Sequence, residues 1–88
     1  MSNQCENNKC VVRSSIACYS SSLSDIESSI QHIYPIIEQL KIFCILQNEP
    51  EFLVETIKHT ENFYGKLQER KNILINNIKE MKIRLSQQ

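Results

Sequence analysis

From Leu53 to Leu85 the apolar positions step by four and three residues in strict alternation. They are Leu53, Ile57, Tyr64, Leu67, Leu74, Ile78, Met81 and Leu85, with Thr60 and Lys71 filling the remaining two places. This spacing collects side chains on one face of a helix, and its persistence over several heptads marks a coiled-coil seam. Ile57, Tyr64, Lys71, Ile78 and Leu85 take heptad position a; Leu53, Thr60, Leu67, Leu74 and Met81 take position d. A second stripe precedes it: Val12, Ile16, Tyr19, Leu23, Ile26, Ile30, Ile33, Ile37, Leu40 and Cys44. Here Ile30, Ile37 and Cys44 are a positions, and Ile26, Ile33 and Leu40 are d positions. Two long helices follow, and the predicted fold class is all-α.

Residues 47–51, Gln-Asn-Glu-Pro-Glu, separate the stripes. Asn48 suits an N-cap, Pro50 suits a first helical turn, and Glu51 completes a capping box with Asn48. The second helix is predicted from here to about Ser86. If the chain folds back between Asn48 and Glu49, Cys44 faces Leu53, Leu40 faces Ile57, Ile33 faces Tyr64, Ile30 faces Leu67 and Ile26 faces Lys71. Leu23 then meets Leu74, Tyr19 meets Ile78, Ile16 meets Met81 and Val12 meets Leu85. Every layer pairs an a with a d position, the arrangement of an antiparallel coiled coil. The prediction is a helical hairpin over residues 11–88, with arms of about 36 residues or about 54 Å. The polar, Asn-rich residues 1–10 are expected to form a flexible tail.

Three features disturb the pattern. The serines at 14, 15 and 20–22 are weak helix formers, and Ser24-Asp25-Ile26-Glu27 offers a later capping-box start. The register favours a helix through residues 11–23 that forms on packing. Pro35 removes a backbone donor and kinks or breaks a helix interior, but it falls at outward position f. Gly65 sits at outward position b, where it costs about 1 kcal/mol relative to Ala and allows a close backbone approach.

One seam does not use all the apolar residues. Ile36, Ile42, Phe43, Ile45, Leu46, Phe52, Val54, Phe63, Ile73, Ile75 and Ile83 lie off it. Ile36, Phe43 and Phe63 share position g and converge near the turn. Contiguous apolar surface marks an interface, so Ile36, Phe43, Phe63, Ile73, Ile75 and Ile83 are expected to contact helices of other chains. A mixed bundle is favoured over a homodimer. In a parallel homodimer the g-to-e pairs would be Thr56–Glu61, Phe63–Gln68, Arg70–Ile75 and Asn77–Lys82, none a complementary ion pair. Lys71, at an a position, would meet its own copy there. In a heteromer it could meet another chain's carboxylate, or it could snorkel to solvent.

The 88 residues carry no net charge, which gives no bulk attraction to nucleic acid or anionic membrane. The charge is nevertheless polarised. Glu49, Glu51, Glu55 and Glu61 cluster near the turn, and Lys66, Arg70, Lys71, Lys79, Lys82 and Arg84 lie further on. This complements the dipole of the second helix, and it leaves Lys79, Lys82 and Arg84 as a basic end that could touch nucleic acid or a microtubule.

Catalytic chemistry has no visible support. The chain has no Gly-rich phosphate loop, nucleophile elbow or HExxH motif, and no cofactor or small-molecule substrate is expected. The four cysteines do not fall in metal-ligand spacing, and His32 and His59 are both at outward c positions, so no zinc site is expected. Cys44 reads as a small core residue. The serine run at 20–22 could accept phosphate. The densest apolar run, Ile33–Leu46, is interrupted by Glu38 and Lys41 and is shorter than the roughly 20 residues of a membrane span. A soluble protein of cytoplasm or nucleus with reduced thiols is expected, neither secreted nor transmembrane. The architecture is similar to the short helical subunits of spindle and kinetochore complexes, of organelle-biogenesis and tethering complexes, and of Mediator-type scaffolds. That similarity implies a non-catalytic coiled-coil subunit with a scaffolding role in a hetero-oligomer. The alternatives are a small regulatory module that docks a helix on a partner, and a contact through the basic end.

Overall fold

The computed structural model describes residues 4–87 and consists of two helices, α1 (Gln4–Leu46) and α2 (Glu51–Ser86). They pack side by side as a hairpin of 71 × 16 × 14 Å, with a radius of gyration of 19.9 Å. A compact domain of this length would have a radius near 12 Å, so the chain is a rod two helices thick.

The heptad register holds along the rod. Every predicted seam residue is buried or half-buried except Tyr19, which is 39% exposed. Among the described residues only Ile37, Cys44, Leu53 and Ile78 are buried, and no large side chain is fully enclosed. A single seam between two helices shields each side chain on one side only, which explains this modest core. Thr60 is tolerated within it because its hydroxyl donates to the Thr56 carbonyl at 2.8 Å, so no polar group is stranded.

The turn reverses the chain at the expected place by a different device. Asn48 and Glu49 both have left-handed backbones, with φ of 63° and 54°. The Glu49 N–H donates to the Cys44 carbonyl at 2.7 Å, and the Asn48 N–H to that of Ile45 at 3.1 Å. These two bonds close α1 in a Schellman motif, with Asn48 where glycine is usual. Asn48 therefore ends α1, in correction of its assignment as the N-cap of α2. Pro50 is the N-cap, extended at ψ 145° and without a side-chain cap bond. Asn tolerates the left-handed region better than most residues, and that preference outweighed its capping ability.

α1 departs from expectation at its start and keeps to it at Pro35. It begins at Gln4, so residues 4–10 of the expected flexible tail are helical; residues 1–3 lie outside the described residues. No Gly or Pro interrupts the stretch before Pro35. A helix nucleated on the seam therefore extends through Asn and Ser at no more than about 0.7 kcal/mol per residue. The same continuity carries α1 past the alternative start at Ser24. Pro35 lies inside α1 without ending it, because its ring is exposed at position f and the missing hydrogen bond is on the solvent side.

Candidate partner-binding surface

The accessible surface is 6758 Å² for a 10.3 kDa chain. A compact monomer of that mass exposes about 5,400 Å². The excess, about 1,400 Å², is more than the roughly 800 Å² that one partner gives to a standard protein–protein interface. Among the described residues fourteen large hydrophobic side chains are exposed, including Ile36 (50%), Phe43 (49%), Phe63 (53%) and Ile73 (58%).

The heptad register sorts these residues onto two opposite flanks. Ile36, Phe43 and Phe63 at g, with Ile73 at c, lie on one flank. There Phe63, Leu67 and Ile73 line a surface cleft, and a neighbouring cleft brings Tyr19 together with Ile26, Ile73 and Leu74. Tyr19 belongs to this surface although its spacing placed it in the seam. Tyr64, an equally large ring in the same seam, is half-buried, so side-chain size alone does not set Tyr19 apart. Ile75 and Ile83 lie on the other flank, where they join Leu23 and Ile78 in a groove rimmed by Lys79 and Lys82. The six apolar residues expected to contact helices of other chains therefore lie on two faces.

Ion pairs distinguish the flanks further. Lys41 Nζ lies 3.2 Å from Glu61 Oε2 and 3.9 Å from Glu38 Oε1. The Lys41 ammonium is held above its ordinary pKa, first by its hydrogen bond to Glu61 and then by the charge of that carboxylate. Lys71 Nζ is 4.0 Å from Glu27 on α1, with the lysine side chain 32% exposed. Its a-position charge thus finds a carboxylate within its own hairpin. One heptad nearer the turn, the Tyr34 and Tyr64 rings pack at 6.1 Å, tilted by 48°, and Gln68 donates to the Tyr64 hydroxyl at 3.0 Å. The basic trio also divides. Arg84 Nε bonds Glu80 at 3.4 Å, and by register it faces the flank opposite Lys82.

His32 and His59 are exposed, and the His32 Nδ1–H donates to the Ser28 carbonyl at 2.6 Å. Among the described residues no three His, Cys, Asp or Glu side chains converge as metal ligands. No helix among them is long and apolar enough to cross a membrane. Around Gly65 a Cβ would meet nothing within 4 Å, so no close backbone approach within the hairpin requires glycine there. Comparison of the chain with protein-family models, with curated proteins and with solved structures returned no match.

Proposed function

We propose that this chain is a non-catalytic, coiled-coil subunit of a hetero-oligomeric complex, to whose shared helical bundle it contributes a hairpin. The observation that carries this reading is the apolar exposure on both flanks, centred on Phe63 and Ile73 on one side and Ile75 and Ile83 on the other. Fully burying one such side chain contributes about 1.5–3 kcal/mol, so further helices against both flanks would be strongly stabilising. The role is scaffolding of the kind served by short helical subunits in spindle, kinetochore or organelle-tethering assemblies, an analogy of architecture alone. The compartment proposed is a reducing one, cytoplasm or nucleus, in keeping with four cysteines that are not spaced as a disulfide framework.

Light scattering on a sizing column tests the proposal, with the purified chain run alone and after affinity capture from its native cells. Aggregation alone, with elution in fixed stoichiometry alongside other helical chains after capture, is the expected result. A clean monomer or homodimer with no captured partner would overturn it.

A further inference from the structure

Resting on the subunit reading, we infer that the groove between Leu23 of α1 and Ile75, Ile78 and Ile83 of α2 receives an acidic amphipathic helix from another chain.

The groove encloses about 480 Å³ at the end of the rod remote from the turn. Its floor is apolar: Ile78 is 8% exposed, while Ile75 and Ile83 stand 40% and 42% exposed. Lys79 and Lys82 form its rim. On α1, the register sets Arg13, Ala17, Ser20 and Ser24 along this flank. Ala17, Ser20 and Ser24 are too short to fill the space beside α2, which leaves a trough there, and Arg13 adds a third basic side chain at its distal end. The groove runs along α2 from Ile75 to Ser86, about 17 Å or three helical turns.

Charge selects the occupant. Among the described residues neither Lys79 nor Lys82 has a carboxylate within ion-pair distance, whereas Lys41 has two and Lys71 and Arg84 have one each. The cleft at the turn end of the same flank contains Lys41, Lys58, Glu49 and Glu61, and its Lys41–Glu61 pair already neutralises its charge. The distal groove therefore combines an apolar floor with unanswered positive charge. An apolar stripe flanked by Asp and Glu satisfies both, in the helix-in-groove manner. Nucleic acid would answer the lysines and leave the isoleucines exposed.

The probe is a fluorescent, hydrocarbon-stapled 14-residue peptide with Leu at heptad a and d and Glu at e and g, titrated against the full chain by anisotropy. A counterpart with Lys at e and g and a labelled DNA duplex serve as comparisons. The acidic peptide is expected to bind at least tenfold more tightly than the basic one. The double variant Lys79→Glu/Lys82→Glu is expected to reverse that order, and Ile83→Ser to weaken both peptides. All three residues are exposed, so unchanged helicity by circular dichroism verifies folding. Absence of binding, equal binding of both peptides, or a duplex that displaces the acidic peptide overturns the inference. Native partners that co-elute unchanged with Lys79→Glu/Lys82→Glu would also overturn it while leaving the subunit reading intact.

Discussion

Lys41 of α1 and Glu61 of α2 form an ion pair that bridges the two helices on the outside of the seam, at 3.2 Å. Its hydrogen bond and the carboxylate's charge raise the lysine pKa. A raised folded-state value means that the pair's contribution is fully present below the free-lysine value of about 10.4. It is lost as pH rises through the folded value. Urea melts of the wild type and Lys41→Met are therefore expected to differ by a constant amount from neutral pH to about pH 10, and to converge above it. Both side chains are nearly half exposed, so 0.5 M salt should shrink the difference at neutral pH.

Ile36 and Ile37 are adjacent in sequence and opposite in role, at 50% and 4% exposure. Ile37→Ala removes a seam side chain and is expected to destabilise the hairpin by about 2–4 kcal/mol. Ile36→Ser should change the stability of the isolated chain by no more than about 0.5 kcal/mol, reduce its aggregation, and weaken co-elution with partners. Thermal melts by circular dichroism and sizing chromatography separate the two effects. Equal destabilisation by both variants would contradict the register.

The left-handed backbone at Glu49 carries a steric cost of about 1–2 kcal/mol that glycine avoids, partly offset by the greater chain entropy glycine loses on folding. Glu49→Gly is expected to stabilise the hairpin by about 0.5 kcal/mol, a rise of a few degrees in Tm. Glu49→Ala, which keeps a Cβ, should give no comparable rise.

Gly65→Ala should raise the stability of the isolated chain by about 1 kcal/mol, because the new methyl meets open space and the helix interior gains propensity. A parallel loss of partner affinity would place a partner's backbone against this face. Calorimetry of the chain alone and in its captured complex reads both quantities.

Much of the hairpin was legible because a heptad repeat is a local property. The positions from Leu53 to Leu85 need only the helical period to fall on one face, and the matching stripe from Val12 to Cys44 fixes which layers meet. The apolar residues outside that stripe were likewise recognisable as unused. Less accessible were features that depend on competition between neighbours. Asn48 suits both ends of a helix, and only the bonds that Asn48 and Glu49 donate to the carbonyls of Ile45 and Cys44 decide which end it serves. Residues 4–10 lack the apolar content of an independent helix, yet they are helical as an extension of a packed one.

Periodicity in the sequence by itself determined the all-α class, the reversal near Asn48 and the membership of the seam, since each follows from side-chain spacing and the helical repeat. The tertiary structure alone decided that Lys71 meets Glu27 on the facing helix. It also decided that Tyr19 lines the cleft beside Ile73 instead of being covered in the seam. These outcomes depend on the angular setting of one helix against the other and on the volume each side chain finds there, neither of which a linear repeat encodes.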